Sequence, residues 1–113
     1  MPRPLSHRER DILDLLLSIE FPGAEKLRQQ AASVRAERDG LIIDLIVGPG
    51  SPRAAVANRV PVQAVVDGDG YDGGVLLFVD DGQMSALEYW WVTEDPPIAM
   101  PPLRVIGAPV ASA

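Results

Sequence analysis

The apolar positions of the N-terminal third recur at helical spacing. Ser6 followed by Glu9 is a capping-box signature, and it predicts a first helix over about residues 6–20. Pro22 ends that helix and suits the first turn of a second helix, which we expect to run to about Ser33. The apolar positions that define the first helix are Ile12, Leu13, Leu16, Leu17 and Ile19.

After the second helix the pattern changes to that of strands joined by turns. An Asp39-Gly40 pair separates a short alternating run from the apolar run 41–47, which predicts a β-hairpin. The segment 48–59 holds two Gly and two Pro, has no periodicity and is expected to be a surface loop.

Three further strands are predicted downstream. The run VPVQAVVD gives the third, and LLFVDDGQMSALEYWW gives the fourth and fifth around an Asp81-Gly82 turn, with residues 67–74 as a flexible connection. Helices followed by hairpin-connected strands indicate an α+β fold, in which two N-terminal helices pack on one face of an antiparallel sheet of about five strands.

The chain beyond residue 95 is rich in proline. Four prolines between positions 96 and 102 disfavour helix and predict an extended tail, in which Leu103–Ile106 could add an edge strand. We therefore expect a single domain over residues 1–95 and a tail over 96–113.

The predicted hairpin at 76–91 is apolar on both faces and admits two registers. With a two-residue Asp81-Gly82 turn, Val79 faces Met84 and Leu77 faces Ala86. With a three-residue loop and a bulge, the pairing slips by one position. In that second register one face of the hairpin holds Phe78, Met84, Ala86, Glu88 and Trp90. The opposite face holds Val75, Leu77, Val79, Leu87, Tyr89 and Trp91.

Either register places Trp90 and Trp91 on opposite sides, and two helices can cover only one side. The other side must be covered by the tail through Met100, Leu103 and Ile106, by a second copy of the chain, or by a partner. Aromatic side chains are frequent interface anchors. The candidate interaction residues are Phe78, Glu88, Tyr89, Trp90 and Trp91.

Charge and composition narrow the function classes. The net charge is −6, and residues 60–113 alone carry −7, which argues against nucleic-acid binding because phosphate contacts need clustered Lys and Arg. The chain has no cysteine, which fits a reducing cytoplasm. Acidic residues interrupt the apolar run near the N-terminus, so we expect neither a signal peptide nor a membrane span.

No residue pattern indicates catalysis, a cofactor or a metal. The acidic segment 67–74 lacks the ligand spacing of an EF-hand, and His7 has no partners that would form a triad. Glu88 interrupts an apolar strand, and a structural ion pair explains it better than a role as general base. Its candidate partners are Arg28, Arg35, Arg38 and Arg59.

Several segments between about residues 5 and 97 resemble a family of small, uncharacterised bacterial proteins common in actinobacteria. The most specific are Glu20-Phe21-Pro22-Gly23 and the hairpin around Asp81-Gly82. Many such proteins carry a Cys-rich segment where AERDGLII stands here, so no metal or redox role is implied. The hairpin is also similar to those of immunity-type proteins that neutralise bacterial toxins. Neither resemblance implies an activity, a cofactor or a catalytic residue.

Together these patterns favour a non-enzymatic cytoplasmic domain that acts by protein–protein association, as an immunity-like or regulatory partner. An acidic surface would steer basic partners, such as a cationic nuclease, at long range. One alternative is a small ligand-binding domain or enzyme, with Glu88 and nearby arginines in a pocket between helices and sheet. Another is a self-associating structural domain, a homodimer joined through Trp90 or Trp91.

Overall fold

The capping box forms at the start of the first helix. In this computed structural model, which describes residues 1–112, the Ser6 hydroxyl accepts from the Glu9 amide at 3.2 Å and the Glu9 carboxylate accepts from the Ser6 amide at 2.8 Å. Helix α1 spans His7–Leu16 and α2 spans Ala24–Ala31, so both helices are shorter than predicted. Between them Gly23 has φ of +93°, and a Cβ there would collide with the loop at Ala55.

The remaining elements form one open antiparallel sheet of six strands, which confirms the predicted α+β fold. The strand order is β1-β2-β5-β4-β3-β6. The sixth strand lies in the C-terminal segment and raises the count above the expected five. The strands are β1 Arg35–Glu37, β2 Ile42–Ile46, β3 Val62–Gly68, β4 Tyr71–Asp80, β5 Gln83–Trp91 and β6 Val110–Ala111.

The predicted flexible connection at 67–74 is wrong. Strand β3 continues to Gly68 and β4 starts at Tyr71, so only Asp69 and Gly70 form the turn. Their φ angles are +50° and +84°, the left-handed pair that a two-residue hairpin turn requires. The glycines and aspartates of this segment therefore belong mainly to strands.

The β4–β5 hairpin follows the first of the two predicted registers only next to its turn. Next to the Asp81-Gly82 turn, Val79 faces Met84, as the two-residue turn predicts. A bulge then skips Ser85, and beyond it Leu77 faces Leu87, a pair that neither register contains, while the side chains there divide between the two faces as in the second register. The bulge thus keeps one continuous set of side chains pointing toward the helices.

The helices cover one face of this sheet, which we call the inner face. Ile12, Leu13, Leu16 and Leu27 of the helices are fully buried with the sheet residues. The inner-face side chains of the three long strands are Val62, Ala64, Val66, Val75, Leu77, Val79, Met84, Leu87 and Tyr89, and all are buried.

A buried glutamine joins α2 to the β4–β5 turn. The Gln30 side chain is 0% exposed; its amide nitrogen donates to the carbonyls of Pro52 and Gly82, both at 2.8 Å, and its oxygen accepts from the Met84 amide at 3.0 Å. These bonds fix the 48–59 loop and the hairpin turn against the helix layer.

The C-terminal segment packs on the helix side and along the β3 edge. Met100 and Val105 are buried in the inner-face core, and the Arg8 guanidinium donates to the Met100 carbonyl at 2.9 Å. The edge strand expected at Leu103–Ile106 is wrong, because residues 103–105 form a 3-10 turn. Pairing with β3 comes from an isolated bridge at Ile106 and then from β6.

Candidate interaction surface

The face of the sheet that points away from the helices carries both apolar and acidic side chains, and neither the helices nor the tail covers it. Strand alternation sends its side chains outward, and Val65, Ile42 and Trp90 are 66%, 48% and 42% exposed. We call this surface the outer face. Its apolar members are Ile42, Ile46, Val65, Leu76, Phe78, Trp90 and Val110.

Trp90 forms one wall of a groove on the outer face. Gly74 lies directly opposite it on β4, and a Cβ on Gly74 would stand 2.6 Å from the indole Nε1. The indole therefore lies across a position that has no side chain. The resulting groove has a volume of about 260 Å³ and is lined by Gln63, Ala64, Val65, Gly73, Trp90 and Val110.

Glu88 lies in the middle of the outer face. It faces Ile42 on one neighbouring strand and Leu76 on the other, and it is half-buried. Since Leu87 and Tyr89 point inward, Glu88 must point outward. The predicted pocket for Glu88 between the helices and the sheet is therefore wrong.

The Glu88 carboxylate has no hydrogen-bond or ion-pair partner among residues 1–112. Its candidate partners bind elsewhere: Arg38 contacts Asp44 and Arg59 contacts Asp80, each at 2.8 Å. Arg28 pairs with Glu20, and Arg35 donates to the carbonyl of Pro2. The expected structural ion pair at Glu88 is absent from the described part of the chain.

The turn end of the outer face carries a small charged network. Arg59 binds the Asp80 carboxylate and its guanidinium lies 5.0 Å from the centre of the Phe78 ring, while the Ser85 hydroxyl donates to Asp80 at 2.6 Å. The hydrogen bond from Arg59, followed by that from Ser85, lowers the pKa of Asp80. This network partly covers Phe78 and leaves Trp90 as the more open aromatic side chain.

Two of the candidate aromatic residues lie elsewhere. Tyr89 is fully buried, and its hydroxyl accepts from the Asp72 amide at 3.1 Å and donates to the Asp72 carbonyl at 3.2 Å. Trp91 ends β5 on the Tyr89 side and is 40% exposed. Of the five candidate interaction residues, only Phe78, Glu88 and Trp90 therefore lie on the outer face.

The sheet edges offer less access than the outer face. Residue Arg3 pairs with Ala36 of β1 through two backbone hydrogen bonds of 2.8 Å, and the opposite edge ends in the two-residue strand β6. Short, partly paired edges disfavour the addition of a foreign strand. A partner would therefore contact side chains of the outer face.

The N-terminal segment is fixed by a buried carboxylate. Arg3 binds both oxygens of Glu9, at 2.8 and 2.9 Å, and the Glu9 side chain is only 8% exposed. Burial alone would raise the pKa of Glu9, but the hydrogen bonds from Arg3 and from the Ser6 backbone outweigh it and lower the pKa. This pair belongs to the capping box of α1 and has a structural role.

The other side chains that were considered for a catalytic or metal site do not lie together. His7 lies 3.5 Å from Asp11 on the exposed side of α1, and Asp69 pairs with Arg104. Within residues 1–112 no three His, Asp or Glu side chains group closely enough to hold a metal ion. The longest helix, α1, has ten residues, and no helix of the described chain is long and apolar enough to cross a membrane.

No family model, curated protein or solved structure matches this chain. The resemblance to small actinobacterial proteins therefore stays a prediction, as does the similarity of the hairpin to immunity-type proteins. The argument for function rests on the outer face.

The sequence predicts Phe78, Glu88 and Trp90 as interaction residues, but it does not identify the outer-face residues of β3 and β6. It does not single out Val65 and Val110, and Gly74, over which the Trp90 indole lies, falls in the segment that the sequence predicts to be a flexible connection. The alternation in VPVQAVVD is the signal that could have placed Val65 on an outward face.

Proposed function

We propose that this chain is a protein-binding domain that acts through its outer face, as an immunity-like or regulatory partner. One observation supports this most: exposed apolar side chains that include Val65 and Trp90 lie on an uncovered face of the sheet, while the opposite face of the same sheet is closed by helices. Exposed apolar patches rimmed by polar groups are typical of interaction sites.

A ligand-binding or catalytic role has less support. Pockets for small molecules enclose most of the ligand's surface, whereas the outer face is an open sheet surface. Among residues 1–112 Glu88 has no hydrogen-bonded acid, base or nucleophile with which it could share a reaction.

The proposal can be tested by site-specific photo-crosslinking in cells of the source organism. A benzophenone amino acid at Ile42 would sample the outer face, and the same group at Lys26 would sample the exposed side of α2 as a matched control. We expect discrete adducts of higher mass from position 42 and none from position 26. Equal labelling at both positions, or no adduct from either, would contradict the proposal. Circular dichroism of each variant establishes that the fold is retained.

A further inference from the structure

We propose that the partner of the outer face is a basic protein segment, which presents a Lys or Arg to Glu88 beside an apolar side chain that enters the Trp90 groove. This inference rests on the proposed function and adds to it the chemistry of the partner. It is carried by the unpaired charges of the outer face and by their positions relative to the groove.

The outer face is acidic. Strand alternation places six carboxylates on it, and three arginines, Arg35, Arg38 and Arg59, are on or beside it. Two of those arginines already bind Asp44 and Asp80. The six carboxylates are Glu37, Asp44, Asp67, Asp72, Asp80 and Glu88.

The unpaired carboxylates flank the groove. Asp67 and Asp72 face each other directly across β3 and β4, and no cationic side chain among residues 1–112 pairs with either. Like charges in directly opposed positions of a sheet destabilise it. A cation supplied by a partner would relieve that repulsion, and another would neutralise Glu88.

A second copy of the chain fits this surface less well. A two-fold interface brings the same patch of both subunits together. A two-fold interface over the outer face would bury Glu88 of both copies, and two of the three arginines on or beside that face already bind Asp44 and Asp80. Burying an uncompensated charge strongly destabilises a complex. The charge distribution therefore favours a partner of opposite sign.

The spacing of the site defines what the partner must present. Glu88 and Trp90 are two residues apart on one strand and point to the same face, which separates them by about 7 Å. A partner strand meets both with a basic residue at one position and an apolar residue two positions along. A helix would meet them with the same pair three or four positions apart.

We would test this with synthetic peptides and the isotope-labelled full chain, followed by NMR. The probe is three repeats of Arg-Thr-Leu-Thr, which places Arg and Leu alternately on one face of a strand. Replacing Arg by Glu gives the charge control, and replacing Leu by Ser gives the groove control. We expect the Arg-Leu peptide to shift the Trp90 indole and the Val65 and Glu88 amides, and to bind more weakly as salt rises.

Variants of the chain identify the contact. Glu88→Gln should weaken binding of the Arg-Leu peptide about tenfold, while Glu25→Gln, at an exposed position of α2, should leave it unchanged. Trp90→Ala should abolish the preference for Leu over Ser. The inference is overturned if the Glu-Leu peptide binds equally well, if the Arg-Leu peptide does not bind, or if Glu88→Gln has no effect.

The inference and the proposed function fail in different ways. If crosslinking from Ile42 captures only a second copy of the chain, or an acidic protein, association through the outer face stands and the basic partner is wrong. Native mass spectrometry of the adduct separates a self-adduct from a heterologous one. If no adduct forms at all, the proposed function itself is wrong.

Discussion

Leu76 and Leu77 are adjacent in β4, yet their surroundings differ completely. Leu77 points inward and is fully buried under the helices, whereas Leu76 points outward beside the unpaired Glu88 and is only half-buried. The same hairpin thus contributes to one buried and one exposed surface. On the inner face apolar side chains stabilise the fold, and on the outer face, where we propose that a partner binds, they remain partly exposed.

Polar groups follow the same division. On the helix side the buried Gln30 and Glu9 have all their hydrogen-bonding atoms engaged, and no buried side-chain polar atom within residues 1–112 lacks a partner. On the outer face the carboxylates of Glu88, Asp67 and Asp72 have no ion-pair partner within the described chain. Buried polar groups with partners stabilise the fold, whereas the exposed carboxylates of the outer face keep their charges for the basic partner that we propose.

The largest expected effect comes from truncating the two adjacent leucines. Leu77→Ala should lower the free energy of unfolding by about 2–5 kcal/mol, because it leaves a cavity in a closed core. Leu76→Ala removes a half-exposed side chain and should cost less than about 1.5 kcal/mol. Urea unfolding of both variants measures the difference, and Leu77→Val provides a smaller change if the alanine variant fails to fold. Equal losses would mean that the two faces are not distinct.

A second prediction concerns the glutamine that anchors the hairpin turn. Gln30→Leu should cost about 3 kcal/mol, since the carbonyls of Pro52 and Gly82 and the amide of Met84 lose their buried partner. The adjacent Gln29→Leu is the control, because Gln29 is exposed, and it should change stability by less than about 0.5 kcal/mol. Thermal unfolding followed by circular dichroism measures both. A loss no greater than that of the control would remove the anchoring role.

The third prediction concerns the pH dependence of the free energy of unfolding. The pKa of Glu9 is lowered in the folded chain, so the unfolded chain binds this proton more readily as pH falls. The stability that the Arg3–Glu9 pair contributes is complete above the ordinary glutamate value of about 4.3 and is lost as pH falls through the lower folded pKa. Unfolding midpoints between neutral pH and acid should therefore fall less in Glu9→Gln than in the native chain. Glu25→Gln should behave like the native chain.

The smallest effect is expected at Gly74, beneath the Trp90 indole. Gly74 has no left-handed φ, so Gly74→Ala is compatible with the strand, but the new methyl group must push the Trp90 indole off the sheet. In a Trp91→Phe background the emission of Trp90 should move to longer wavelength with little loss of stability. Gly107→Ala, where a Cβ meets nothing closer than 3.4 Å, should leave the emission unchanged. An unshifted spectrum at position 74 would show that the indole does not rest there.

Local signals in the sequence were enough to predict much of the fold. The capping box at Ser6, the break at Pro22 and the Asp-Gly pairs each act within a few residues, and all of them lie at or beside element boundaries. At residues 67–74 the same kind of pair led to a wrong prediction of a flexible connection. Several adjacent Asp and Gly residues are typical of a loop, but here they are the ends of two strands around a two-residue turn.

For the candidate site, the sequence determined that the hairpin had more apolar surface than two helices could cover, because alternation alone fixes how many side chains point to each face. It could not determine which face. A bulge at Ser85, the buried contacts of Gln30 and the path of the tail are long-range outcomes of packing. Only the tertiary structure therefore decided that Trp90 and Glu88 point outward and that Gly74, on a neighbouring strand, leaves room for the Trp90 indole.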